Sequence, residues 1–122
     1  MKKLFVLLFV ITSSLAQTAN AWRAIANETI WPNAPYFREI LVNDGAQYTE
    51  VRVYVSMGSV RIDNVMVLTE NLHQLPLWQL RGDYRSPRMS EARFSINKLR
   101  SIRLEARSLE TNRPSNLQVF VR

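Results

Sequence analysis

The 122 residues contain no cysteine, a single histidine and only three glycines. Each shortage excludes a class of chemistry. Without cysteine there is no disulfide, thiol nucleophile, thiolate metal site or lipid anchor on an N-terminal Cys. The lone histidine, His73, has no second imidazole or thiol with which to share a metal. Three glycines cannot build a Gly-rich phosphate cradle, and no calcium loop or nucleophile elbow is present. The acids, Glu28, Glu39, Asp44, Glu50, Asp63, Glu70, Asp83, Glu91, Glu105 and Glu110, are scattered, with no spacing that recommends a carboxylate dyad. No cofactor and no metal are expected, and the chain reads as a non-enzyme. The remaining catalytic reading is a hydrolase built on His73 and an acid close to it in space.

The first 21 residues carry an address. Lys2 and Lys3 precede an unbroken apolar run from Leu4 to Ile11, and a polar stretch ends in Ala19-Asn20-Ala21. This is the order of a secretory signal peptide: basic start, apolar centre, small-x-small cleavage site. The run is far shorter than the about 20 residues a spanning helix needs. Cleavage is expected after Ala21, with Ala16 the second choice. That leaves residues 22–122 as one exported domain, periplasmic or secreted, with no transmembrane segment. Its length is that of an ordinary domain able to bury a core unaided.

Period-two alternation dominates this domain. Val51, Val53 and Val55 alternate with Arg52, Tyr54 and Ser56, the signature of a strand with one buried face. Val60 and Ile62 resume after Met57-Gly58. Asp63-Asn64 then breaks the register before Val65 to Leu68, which predicts a β-bulge or a bend. Further strands are expected around Ile25–Ile30, over Phe37–Val42 with a turn at Asn43-Asp44-Gly45, and at Leu75–Leu77 on an edge because of Pro76. The last three are expected at Ala92–Ile96, at Ile102–Ala106 and at Leu117–Val121. No stretch carries a helical stripe. About eight short strands in succession predict an all-β, antiparallel, jelly-roll-like sandwich, with a closed barrel as the alternative.

Charge is the other resource. Lys and Arg number 16 against ten acids, a formal +6 that falls to +4 once Lys2 and Lys3 leave. Nearly all the remaining cations are arginine, which suits flat bidentate contact with phosphate or carboxylate. Arg103 and Arg107 fall on one strand face, since residues two or four apart share a face. Arg85 and Arg88 bracket Ser86-Pro87, with Trp78 and Tyr84 near in sequence. Arg85, Arg88, Arg103, Arg107, Trp78 and Tyr84 are therefore the candidate ligand-binding residues. The partner expected is an anionic envelope glycan or an exported protein. The plain alternative is a solvated face on which these arginines pair with acids across strands. A second reading is an inhibitor or adaptor that docks on another exported protein by an edge strand or by the Trp31–Tyr36 loop. Nucleic acid is not favoured. Arg81-Gly82-Asp83 spells an integrin-type tripeptide, but Gly-Asp is more simply a turn.

The stretch from Tyr48 to Leu109 resembles the YaaI-like family of small secreted bacterial proteins. The likeness rests on Tyr48-Thr49-Glu50-Val51-Arg52-Val53, Val60-Arg61-Ile62 with Val65-Met66-Val67, and Leu75-Pro76-Leu77 with Leu80-Arg81-Gly82 and Ser86. It is completed by Leu99-Arg100-Ser101-Ile102-Arg103-Leu104. Glu70-Asn71 and Asn97-Lys98 stand where a glycine is usual. The resemblance implies an exported β-sandwich and no catalytic residue. The exported form is expected to have the mass of a chain beginning at Trp22; intact-mass spectrometry checks this, and a chain beginning at Gln17 marks the second cleavage site.

Overall fold

A computed structural model describes residues 21–122; apart from Ala21, the expected signal peptide lies outside them. Alternation becomes strand almost throughout: β1 (Arg23–Ile30), β2 (Tyr36–Leu41), β3 (Gln47–Met57), β4 (Ser59–Thr69), β5 (Gln74–Pro76), β6 (Gly82–Arg85), β7 (Arg88–Ser108) and β8 (Ser115–Val121). One turn of 3-10 helix, Trp78–Leu80, is the sole helical piece among the described residues. Every strand pairing is antiparallel. One half of the fold runs β1-β8-β3-β7, and the other places β7 between β2 and β4, with β5 and β6 on the far side of β4. The result is an all-β, sandwich-like fold with jelly-roll strand order.

Strand β7 belongs to both halves. Its first part, Arg88–Lys98, pairs with β3; its second, Leu99–Ser108, pairs with β4 and β2. Sequence reading expected two separate strands here, at Ala92–Ile96 and Ile102–Ala106, and the structure joins them through two bulges. Tyr48 opposes Asn97 but Glu50 opposes Arg93, so Phe94, Ser95 and Ile96 face the single residue Thr49. Leu68 opposes Ser101 but Thr69 opposes Leu99, which leaves Arg100 over. Extra residues bend a strand and strengthen its twist. Here they turn one strand from one half to the other, and they leave Ile96 exposed although it continues the alternation of Ala92 and Phe94. The expected interruption at Asp63-Asn64 is likewise a bulge against β7, between Ile62 and Asn64. It shifts the inward parity, so that Val60, Ile62, Val65 and Val67 are all buried.

The inward faces of both halves form one core. Val51, Val53, Val55, Val60, Ile62, Val67, Ile102, Leu104, Leu117, Val119 and Val121 are buried together, with Ile30, Ile40, Leu80 and Tyr84 closing the ends. Each such side chain contributes about 2 kcal/mol, more than the about 0–1 kcal/mol of an exposed ion pair. The apolar faces therefore decide the fold.

Two local devices hold the connections. Between β3 and β4 the chain crosses from one half to the other with only Gly58 between the strands. Gly58 sits at φ +75°, and a Cβ there would collide with Ser115 Oγ. Ser115 is fully buried, and its hydroxyl donates to Ser59 O at 3.0 Å while accepting from Ser59 N–H at 3.2 Å and lying 3.0 Å from Ser108 Oγ. The predicted Asn43-Asp44-Gly45 turn is present, and Asp44 closes it by accepting from Ala46 N–H at 3.0 Å. Its carboxylate also takes the Tyr48 hydroxyl and the Arg23 guanidinium, which ties the start of β1 to the turn. Burial pushes the Asp44 carboxyl up, but the bonds from Tyr48 and Ala46 and the Arg23 charge outweigh it and hold the group below 3.8.

Gly45 offers an internal comparison, since it has φ +78° and nothing within 4 Å of its Cβ position. Gly45→Ala is expected to cost about 1 kcal/mol from backbone strain alone. Gly58→Ala adds the displacement of Ser115 and is expected to cost at least about 2 kcal/mol more. Urea unfolding of the two variants measures the difference.

Candidate functional site

The outer faces sort the arginines by whether an acid meets them. On the first half, Glu50 is 5% exposed and holds Arg93 at 3.0 Å and Arg122 at 2.9 Å. Glu91 holds Arg52 at 2.6 Å. Arg52 and Arg122 also lie over the Trp22 ring, 4.1 and 4.4 Å from its centroid. Two carboxylates and an aromatic face thus take up three guanidiniums, and the cluster fastens the chain before β1 to β3 and β8.

The second half differs. Its outer face can be read row by row from the register. Asp83 on β6, Arg61 on β4 and Arg107 on β7 are neighbours across three strands. Arg61 makes a bidentate pair with Asp83, at 2.7 and 3.2 Å, and Arg107 Nε donates to Asp63 at 3.1 Å. Asp83 is held below 3.8, first by the Arg61 hydrogen bond, against desolvation, and further by the charges of Arg61 and Arg85. This fixes the tripeptide Arg81-Gly82-Asp83. The segment opens β6 rather than forming a turn, and its carboxylate is already bound.

Next to this row lie the cations that no acid meets. Among the described residues, Arg81, Arg85 and Arg88 form no ion pair. All three are exposed. Arg81 stands over the Trp78 ring at 5.3 Å, and Trp78 is itself 61% exposed. Arg88 lies 4.7 Å over the Tyr84 ring and donates to Asp83 O at 2.6 Å. Arg85 pairs in register with Ser59, one step along from Arg61–Asp83. With Arg61 and Arg107, five guanidiniums face two carboxylates, Asp63 and Asp83, leaving three positive charges in excess along the β6 edge.

The candidate residues are therefore brought together only in part. Arg85, Arg88 and Trp78 lie on or beside this edge, and Arg107 joins it through the Arg61 row. Arg103 shares the face of Arg107, as expected, but lies four residues away, about 13 Å along the strand. There it sits between Met66 and Glu39 and pairs with Glu39 at 3.9 Å. Tyr84 is a core residue, 1% exposed, and its hydroxyl donates to Leu80 O at 2.8 Å. Arg61, Asp63 and Asp83 also belong to this edge and are not among the candidates that the sequence pattern marks. Arg61 was accessible as the polar residue between buried Val60 and Ile62. The partnership with Asp83 was not, because β6 itself was not foreseen.

The remaining chemistry-bearing groups are dispersed. His73 is exposed in the β4–β5 turn, where its N–H donates to Thr69 Oγ1 at 3.0 Å and its carbonyl accepts from Thr69 N–H at 2.9 Å. Among the described residues no group of three or more His, Asp or Glu side chains is placed to hold a metal ion. No helix among them is long and apolar enough to cross a membrane. Fold and site together define a basic, all-β jelly-roll domain with a cationic sheet edge. No protein-family model, curated protein or solved structure matches the chain.

Tyr84→Phe removes one buried hydrogen bond and leaves the Leu80 carbonyl without that partner. A loss of about 1 kcal/mol is expected, read as a lower midpoint in urea.

Proposed function

We propose that this protein is an exported, non-catalytic binding module that holds an anionic glycan of the cell envelope along the β6 edge. The observation that carries the reading is the row of exposed arginines, Arg81, Arg85 and Arg88, that the fold gathers without acids on one edge, while Arg52, Arg61, Arg103 and Arg107 are each paired. A solvated face laced by ion pairs would leave no such surplus on one edge. Trp78 adds an exposed aromatic beside it, and arginine with an aromatic suits a ligand that carries both an acid and an apolar ring face. Export rests on the pattern of the first 21 residues and on the YaaI-like resemblance. The non-catalytic reading is supported by how the acids are used. Asp44, Asp63, Asp83, Glu39, Glu50 and Glu91 are each engaged by an arginine or a hydroxyl within the fold.

Heparin serves as a generic anionic glycan for the test. The protein is expected to be retained on immobilised heparin at low salt and released as salt rises, because exposed charges are screened over about 10 Å at 0.1 M. Replacing Arg81, Arg85 and Arg88 with alanine is expected to weaken heparin binding at low salt by about tenfold or more. Removing the same number of charges at Arg38, Arg100 and Arg113 is expected to change it much less. Equal losses for the two triple variants, or no retention of the parent protein, sink the reading.

A further inference from the structure

The β1–β2 connection, Trp31-Pro32-Asn33-Ala34-Pro35, carries one of the aromatics that the β6 edge does not use. A cleft of about 350 Å³ opens between Asn33, Ala34 and Pro35 on this loop and Arg107 and Ser108 at the end of β7. That volume lies at the lower end of small-molecule sites, which run from about 300 to 1,000 Å³. It suits a single ring rather than a polymer segment.

The lining is mixed in a way that suits a sugar. Ala34 and Pro35 offer apolar surface, and the Asn33 amide is both donor and acceptor. Arg107 uses Nε for Asp63, which lies outside the lining, so its terminal nitrogens remain to donate. A bare anion gains little from this neutral pair, since Asp63 repels what Arg107 attracts. Neighbouring hydroxyls, each able to donate and accept, match the Asn33 amide and the Arg107 nitrogens. The Ser108 hydroxyl is engaged with Ser115 and the Glu110 N–H, so it shapes the wall rather than reading the ligand. Two prolines and an Asn33 held at φ +63° stiffen the loop, which lowers the ordering cost of binding. Trp31, 61% exposed, stands two residues before Asn33.

The cleft is also continuous with the basic edge. Arg107, Arg61 and Asp83 form one row across three strands, and Arg85 follows Asp83 by two residues on β6. Two strand spacings amount to about 10 Å, within the reach of a short oligosaccharide.

We propose that this cleft seats one pyranose ring of an acidic oligosaccharide through its hydroxyls, while the acidic groups of adjoining units lie toward Arg85. The assignment rests on the glycan reading above and specifies how the ligand is read: hydroxyls at the cleft, charge at the edge.

Trigalacturonic acid is the probe. It is expected to bind saturably and to shift the backbone amide resonances of Asn33, Ala34, Arg107 and Ser108 in the parent protein. Ala34→Trp, an exposed position at which indole would occupy the cleft, is expected to weaken trigalacturonate binding at least tenfold. Absence of trigalacturonate binding at millimolar concentration overturns the cleft. So do resonance shifts confined to residues 81–88, or an Ala34→Trp variant that binds as the parent does. Each of these leaves the edge reading standing if the Arg81, Arg85 and Arg88 variant still loses heparin. Unchanged heparin retention in that triple variant overturns the edge reading itself.

Discussion

One strand has to serve two halves, and the rest of the molecule follows from how it does so. β7 spends its first part beside β3 and its second between β2 and β4, and it carries the bulges that let it turn. A regular strand of this length would keep one face inward throughout and run straight out of the core. The extra residues at Phe94–Ile96 and at Arg100 break that regularity twice. Ala92 and then Ile102, Leu104 and Ala106 can thus face the same interior. Gly58 solves the same crossing for β3 and β4 in a single residue, and the buried Ser115 hydroxyl accepts from the Ser59 N–H and joins the Leu109 N–H on Ser59 O.

The surface shows a division of labour among arginines of one chemical type. Where an acid stands opposite in register, the guanidinium is spent on the fold: Arg52 with Glu91, Arg61 with Asp83, Arg103 with Glu39. Where the opposite strand offers no acid, as along β6, it remains available. Strand register therefore decides which charges are structural and which can meet a ligand. Arg103 and Arg107 occupy equivalent places on one face, yet Arg103 is framed by Met66 and Glu39, whereas Arg107 borders a cleft.

Legibility tracked the range of the interaction involved. The Val51–Val55 alternation, the Asn43-Asp44-Gly45 turn, the Asp63-Asn64 bulge and the Leu117–Val121 strand were readable because a few adjacent residues specify each. β6 was not readable. Four residues, Gly82-Asp83-Tyr84-Arg85, carry one core side chain and no run of alternation, and they become a strand only because β4 offers them an edge. The continuity of β7 was hidden for a related reason. Its bulges interrupt the period, and a break in period reads the same whether the strand ends or bends. Trp78, a candidate for ligand contact, is exposed. Tyr84, six residues on, was placed with the ligand-facing residues although it fills the core, since an aromatic in a short polar stretch gives no local sign of which way it points.

By itself, the amino-acid order determined the all-β class, the inward positions of most strands and a surplus of arginine over acid. These are properties of neighbours along the chain: side-chain period, turn chemistry and charge count. Only the tertiary structure decided that Asp83 would meet Arg61, that Arg107 would border a cleft formed by a loop more than seventy residues earlier, and that Arg81, Arg85 and Arg88 would be left without acids. Those outcomes depend on which strands lie side by side and in what register, and each one-residue bulge resets that register for everything beyond it.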